Sequence, residues 1–401
     1  MIRYFTAGES HGPELTGIVE GVPAGLNVTE DEIALHLQRR QQGYGRGGRM
    51  AFEKDRATLT SGVRFGKTIG SPIAMRMGNR AYEKDDSNWP VVMAKEGSGE
   101  GVEPITLSRP GHADLVGVQK YRFDDIRPVI ERSSARETAM RVACCSIARL
   151  FLKRFGIEIG GHVIRIGSVG FESWEEVRNL ADPLAEEGAE AVFRKADQSD
   201  VRCLNEKMGE KMRDEIKKWR KEGSSLGGIY EIIVTGLPAG LGSYVHWDRK
   251  IDGQLAAAIL STQAMKGIEI GLGFTSGERP GHKVHDEIIY EEEAFRRRTN
   301  RAGGVEGGMT TGMPLILRGV MKPIPTMLTP LKTVDFKSKK EMDTRYERSD
   351  VCALPRAVVV AESVVAPVLA NAFLEKYGGS SISEIAEHVA AEGRGTINNG
   401  K

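Results

Sequence analysis

The sequence has almost no net charge. Its 401 residues hold 56 Lys and Arg against 55 Asp and Glu, a formal charge of +1. A field this weak argues against a nucleic-acid or membrane-surface protein, because both kinds of partner are held by an excess of one sign. Cysteine is sparse, and Cys144, Cys145, Cys203 and Cys352 show no paired spacing. They read as buried thiols in a reducing compartment, not as a disulfide framework. No basic stretch followed by an apolar run opens the chain, so no secretory signal is expected. No uninterrupted apolar run suits a membrane span, because Glu362 and Asn371 break the best candidate. His282 and His285 have metal-like spacing, but nothing nearby completes a ligand set. These absences predict a soluble, cytoplasmic protein that binds no metal.

What the chain has in excess is glycine, 48 of 401 residues, about 12% against a usual ~7%. Without low complexity, that excess points to tight turns and close backbone approaches to a ligand. The 40% hydrophobic content is enough for a sizeable core.

Short stretches recur. Pro23-Ala24-Gly25-Leu26 returns as Pro238-Ala239-Gly240-Leu241, each time after a strand-like apolar run and before a helical pattern. Arg132-Ser133 returns as Arg348-Ser349 at nearly the same separation, and both precede long apolar segments ending at glycine. A third echo sets Arg109-Pro110-Gly111-His112 against Arg279-Pro280-Gly281-His282. The pattern reads as a duplication, with halves of roughly 1–160 and 226–391 related by a pseudo-twofold.

The segment Arg132-Ser133-Ser134-Ala135-Arg136-Glu137-Thr138 stands before an alanine-rich apolar helix over 139–155 that should stop at Gly156. Ser133 or Ser134 is a natural N-cap. Free amides at a helix start favour an anion such as phosphate. The alternative is an ordinary capped core helix with its arginines facing water.

Three loops carry further candidate chemistry. Gly8-Glu9-Ser10-His11-Gly12 presents a histidine that is either a solvated loop residue or a proton donor. A capping box from Thr29 to Glu32 predicts a helix over 29–43. It runs into Arg40 and Gln41-Gln42-Gly43-Tyr44-Gly45-Arg46-Gly47-Gly48-Arg49. A helix precedes these glycines, so they are no dinucleotide fingerprint. Their single arginine-glycine tract is weak support for RNA binding in a neutral chain. The loop is either a flexible surface loop or a clamp whose arginines close over an anionic substrate. Gly62 to Thr68 is one residue short of a P-loop and reads as a strand end and turn. Residues 80–104 form a polar connection ending at Ser108-Arg109-Pro110-Gly111-His112-Ala113-Asp114. There a Pro-Gly turn positions His112, either as a general acid or as a structural residue bonded to Asp114.

Residues 170–225 are charged and helical in pattern, and read as solvated helices inserted outside the core. An alanine-rich helix follows over 255–265. The glycines at 271, 273, 303, 304, 307 and 308 suit a backbone packed against a flat ring. Lys322-Pro323-Ile324-Pro325-Thr326 is an extended strap whose ends are competent with phosphate.

These motifs, together with Arg348-Ser349-Asp350, resemble the chorismate synthase family in order and over nearly the whole chain. The resemblance implies an α+β fold: one domain, a helical core between two antiparallel sheets, and an internal pseudo-twofold. It implies a homotetramer. It also implies a lyase of the shikimate pathway, on the route to the aromatic amino acids. The reaction would be an anti-1,4-elimination of phosphate from 5-enolpyruvylshikimate 3-phosphate, requiring reduced FMN without net redox change. By the same resemblance His11, His112 and Asp350 are catalytic. The FMN cradle is Arg132, Ser133, Ser134, Gln263, Ala264, Gly307, Lys322, Pro323, Ile324, Pro325, Thr326 and Arg348. Ser10, Arg40, Arg46, Arg49 and Arg136 hold the substrate. An FMN-binding electron carrier is the alternative, and net redox turnover would reveal it. No nicotinamide fingerprint or reductase domain is visible, which favours an external supply of reduced flavin over self-reduction with NADPH.

Overall fold

The computed structural model describes residues 1–45, 55–84, 88–291, 293–344 and 350–395. Nine strands build the two main sheets: β1 (Arg3–Ala7), β2 (Glu14–Glu20), β3 (Thr58–Leu59), β4 (Ile73–Gly78), β5 (Glu158–Ile166), β6 (Val169–Gly170), β7 (Gly228–Thr235), β8 (Met265–Ile270) and β9 (Leu315–Met321). Four helices matter most: α1 (Glu30–Gln41), α2 (Glu137–Arg154), α3 (Ile251–Leu260) and α4 (Leu354–Tyr377). The first sheet has the order β1-β2-β4-β3, and the second β8-β9-β7-β5-β6. Every neighbouring pair is antiparallel.

Helix α2 lies on the first sheet and α4 on the second, and the two helices pack against each other. The molecule is an α+β sandwich with its helical layer between antiparallel sheets. Glycines let the layers close. A Cβ on Gly17 of β2 would stand 2.5 Å from the Cys144 sulfur of α2, and one on Gly161 of β5 would stand 2.7 Å from Val358 of α4.

The two Pro-Ala-Gly-Leu turns carry the same bonds. Gly25 and Gly240 have φ of 90° and 83°, which favours glycine. Thr68 donates its hydroxyl to the Pro23 carbonyl at 2.6 Å and accepts the Leu26 amide at 3.0 Å. Thr310 does the same for Pro238 at 2.7 Å and Leu241 at 2.8 Å. Each threonine ends a short hairpin, Val63–Arg64 with Lys67–Thr68 and Val305–Glu306 with Met309–Thr310. The stretch that resembles a P-loop is therefore a strand and turn. The Arg279 echo behaves differently: Gly111 has φ of 80° in its turn, whereas Gly281 opens a 3₁₀ turn.

Several expectations change. Helix α1 has its capping box, and α2 ends as expected with Gly156 at φ 75°. But Ser133 closes a preceding helix, Arg127–Ser133, and does not open α2. The amides of Glu137, Thr138 and Ala139 bond to the carbonyls of Ser134, Ala135 and Arg136 at 3.2, 3.1 and 3.0 Å. The start of α2 is thus not an open anion cradle, because the turn before it consumes its free donors. The alanine-rich helix is Ile251–Leu260, and Met265–Ile270 is a strand. Gly271 and Gly303 serve a backbone crossing, not a flat ring: a Cβ on Gly303 would stand 2.3 Å from the Gly271 nitrogen.

Residues 170–225 do form helices, Trp174–Glu186, Ala189–Ala196 and Glu206–Lys221, but they are not outside the core. Val201, Cys203, Met212 and Ile216 join the main apolar cluster, and Ala181, Ala189 and Val192 pack around Ile233 of β7. The charges occupy only the outer faces. Likewise α4 is long and apolar enough to cross a bilayer, with a mean hydropathy of 2.0, yet 83% of that window is buried inside the molecule. This fits a core helix of a soluble protein. All four cysteines are free and buried, and burial pushes the Cys145 and Cys352 thiols up to about 12.

Candidate active site

Strand β1 ends at Ala7, and Gly8, with a φ of 105°, turns the chain into the Ser10-His11 loop. The helix Arg127–Ser133 presents Glu131 to that loop. The His11 amide donates to Glu131 Oε2 at 2.6 Å, and His11 Nδ1 meets Oε1 at 2.8 Å. The His11 ring stacks on Trp89, centroids 3.8 Å apart and planes 16° apart. The Ser10 amide donates to the Glu131 carbonyl at 3.1 Å. Ser134 reaches the Ser10 hydroxyl at 3.2 Å and accepts the Arg136 amide at 3.2 Å. Ser133 bonds back to Val129 of its own helix at 2.6 Å.

Arg136 and Arg40 are buried together and both reach Asp55. Arg40 also donates to Thr138 at 3.0 Å and to the Ala135 carbonyl at 2.9 Å. Burial pulls its guanidinium down to about 10 against the attraction of Asp55, which leaves it charged at neutral pH. Asn79 accepts from Arg136 at 2.9 Å and donates to the Gly12 carbonyl at 2.7 Å. The predicted substrate residues Ser10, Arg40 and Arg136 therefore share one cluster.

Beside it opens a cleft of about 490 Å³ lined by Tyr4, Phe5, Thr6, Arg132, Glu137, Arg141, Ser261 and Gln263. Arg132 donates to the Thr6 carbonyl at 2.8 Å and to its hydroxyl at 2.9 Å. Glu137 accepts from Thr6 at 2.7 Å, Arg141 at 3.0 Å and Gln263 at 3.2 Å. Burial opposes the charge on Glu137, but hydrogen bonds from Thr6 and Gln263 and the Arg141 charge hold its carboxyl below the usual range. The Gln263 amide nitrogen is committed to Glu137. Its carbonyl Oε1 is buried with no partner among the described residues. That oxygen is an acceptor waiting for a donor, and Arg132 brings a cation to the same cleft. The pair fits a ligand with both an imide N–H and a phosphate, as a flavin mononucleotide has.

The strap continues from this cleft. The Lys322 amide donates to the Ala264 carbonyl at 3.0 Å, and its ammonium bonds the Gly111 carbonyl. Ser225 donates to the Ile324 carbonyl at 2.6 Å, and a Cβ on Gly111 would stand 3.6 Å from Pro325. Next to Gly111, His112 Nδ1 bonds Asp114 Oδ1, while Asp114 Oδ2 accepts the Arg109 amide at 3.0 Å and its Nε at 2.8 Å. Burial opposes that charge, but His112 and Arg109 hold the Asp114 carboxyl well below the usual carboxylate range. Asp350 pairs with Arg356. The adjoining Val351 carbonyl accepts the Leu226 amide at 2.8 Å, one residue from Ser225 and the strap.

Hydrogen bonds and adjacent residues together link His11 and Glu131 to Arg132, Thr6, Glu137 and Gln263, then Ala264 next to Gln263 to Lys322, and Lys322 to Gly111 next to His112. Gly307 lies apart. Its turn meets the start of α3, where the Ile251 amide bonds the Gly308 carbonyl at 2.9 Å, whereas Gln263 follows the other end. A ten-residue helix is about 15 Å long. Arg46, Arg49 and Arg348 lie outside the described residues. Sequence reasoning missed Glu131, Asp55, Asn79, Trp89 and Arg141, and gave Glu137 no role. The one available signal was that Glu131 and Glu137 flank the Arg132–Arg136 motif.

The sequence profile described as chorismate synthase matches residues 2–374. The chain is 56% identical to the chorismate synthase of Salinibacter ruber, covering 98% of each chain. It is 53% identical to that of Chlorobaculum tepidum, with 97% of each covered. It is 50% identical to that of Bacillus licheniformis, again with 97% of each covered. A solved crystal structure of chorismate synthase aligns with a TM-score of 0.78 at 39% identity, covering 98% of both chains.

Proposed function

The chain belongs to the chorismate synthase family, a carbon–oxygen lyase of the shikimate pathway, and we propose that the linked set of residues from His11 to His112 is where its reaction takes place. The substrate is 5-enolpyruvylshikimate 3-phosphate. The reaction breaks the carbon–oxygen bond to phosphate and removes a ring proton, giving chorismate and inorganic phosphate. The cleft of Arg132 and Gln263 would hold reduced FMN, which would supply electron density and a basic nitrogen without net redox change. Arg132 would hold its phosphate, and Gln263 Oε1, a buried acceptor without a donor among the described residues, would accept a hydrogen bond from it. Ser133, Ser134, Ala264, Lys322, Pro323, Ile324, Pro325, Thr326 and Arg348 complete the cradle by family resemblance. Gly307 is assigned to the cradle by the same resemblance alone.

Ser10, Arg40 and Arg136, with Arg46 and Arg49, bind the substrate's two carboxylates and phosphate. Paired guanidiniums suit that work because they present planar, fixed donors. His11 protonates the departing phosphate from Nε2, since Nδ1 faces Glu131. His112 holds a proton at Nε2 in the same way, its Nδ1 facing Asp114. Asp350 assists removal of the ring proton. We read the chain as a single domain made by duplication, with halves of roughly 1–160 and 226–391. We expect a cytoplasmic homotetramer that binds neither nucleic acid nor membrane.

The observation supporting this reading is that two histidines are each held by a carboxylate at Nδ1, one on the loop that joins the buried Arg136 through Ser10 and Ser134 and the other beside the Lys322 strap. The test is anaerobic phosphate release from the enolpyruvyl substrate, with and without dithionite-reduced FMN. Release that depends on reduced flavin, without its net oxidation, is expected. Equal release without flavin would refute the reading.

A further inference from the structure

Glu131 is buried, 3% exposed, yet both its carboxylate oxygens point at one residue. Oε2 takes the His11 main-chain N–H at 2.6 Å, and Oε1 meets the imidazole Nδ1 at 2.8 Å. A main-chain amide can only donate. A carboxylate can only accept. The imidazole nitrogen facing Oε1 must therefore carry its proton. We propose that Glu131 is a positioning residue that selects the Nδ1–H form of His11 and so presents Nε2 as the exchanging atom, a role that rests on His11 being the acid assigned above. Trp89, stacked on the ring 3.8 Å away, holds its plane.

The arrangement recurs at the other histidine. Asp114 takes a main-chain N–H, that of Arg109, on one oxygen and His112 Nδ1 on the other. There the amide is not the histidine's own, and the Arg109 guanidinium also bonds both Asp114 oxygens and lies 3.1 Å from His112 Nδ1, so the full two-point constraint belongs to His11. Among the described residues, the charged groups at the His11 turn include Glu131, Glu9 of the turn itself, and Arg132, which bonds the Gly8 carbonyl at 3.3 Å.

The informative substitution is Glu131→Gln. Glutamine has the same shape but one acceptor and one donor. Its oxygen is claimed by the His11 main-chain N–H, which cannot reverse. Its NH₂ then faces Nδ1, which must give up its proton to become an acceptor. The neutral ring is driven to the Nε2–H form, and the protonated ring would set two donors face to face. Loss of the right tautomer with geometry kept is known to be costly for catalytic histidines.

The test labels histidine with ¹⁵N and assigns His11 by difference from His11→Gln. Nitrogen shifts are read at a pH of about 8, above the ordinary imidazole value of ~6.5. Wild type should show the Nδ1–H form and Glu131→Gln the Nε2–H form. Turnover should fall at least about a hundredfold with FMN affinity, read from flavin fluorescence, unchanged. Glu131→Asp keeps both acceptors, so it should keep the wild-type form and retain more activity. An Nε2–H ring in wild type would overturn the proposal even if no variant folds, as would an unaltered ring in Glu131→Gln. A flipped ring with unchanged turnover would uphold the positioning while removing His11 from the chemistry.

Discussion

Glu362 lies in the middle of α4 with no solvent exposure. Oε1 accepts from Arg39 at 2.9 Å, and Oε2 accepts from Arg39 at 2.5 Å and Arg149 at 2.9 Å. Arg39 also pairs with Asp197 at 2.5 Å, and Asp197 with Arg202 at 2.8 Å. Glu362→Gln keeps the volume and removes the charge that two buried guanidiniums share. Breaking a buried pair in this way costs about 3–5 kcal/mol, mostly the penalty of the stranded partners. For a chain of 401 residues, at ~2.1 cal/mol/K per residue, that is a Tm lower by about 4–6 °C. Thermal unfolding followed by circular dichroism measures it. Burial works against the Glu362 charge, but Arg39 and Arg149 hold its carboxyl below the ordinary 4.5. A depressed carboxyl stabilises fully above its unfolded value and loses that contribution as pH falls through the folded one. The gap between variant and wild type should therefore be widest near neutrality and close in acid. The combined change Arg39→Met, Arg149→Met and Glu362→Leu should recover most of the loss, because Asp197 keeps Arg202. A Tm within about 1 °C of wild type for Glu362→Gln, or a triple variant less stable than the single one, would refute the reasoning.

His11→Ala should lower turnover at least about a hundredfold and leave FMN affinity nearly intact; steady-state kinetics within a few-fold of wild type would contradict its role. Asp350→Asn should lower turnover similarly, checked by the same anaerobic phosphate assay. Gln263→Leu removes the buried acceptor in the cleft and should weaken FMN binding by roughly tenfold, about the value of one hydrogen bond. Flavin fluorescence titration reads that change, and equal affinity would mean the oxygen does not face the cofactor.

Local rules were enough for some features. Thr29 and Glu32 sit close enough to bond each other, so their capping box could be read directly, as could Gly25 and Gly240, whose turns demand a left-handed backbone. The same reasoning misjudged residues 170–225. Their charges are real, but one apolar side of each helix has a sheet to cover. It also read Glu362 and Asn371 as interruptions, where Glu362 is satisfied by arginines 323 and 213 residues away.

From the sequence alone came the family motifs, the two serine and histidine loops, the recurring Pro-Ala-Gly-Leu turns and the candidate arginines. Only the tertiary structure decided which carboxylate faces which imidazole, that the start of α2 spends its own amides, and that Gly307 stands apart from Gln263. Glu131 and His11 are 120 residues apart, and no propensity, periodicity or cap reaches across such a gap. Their meeting depends on how α2 settles on the first sheet, and that is set by the packing of both sheets around the helical layer.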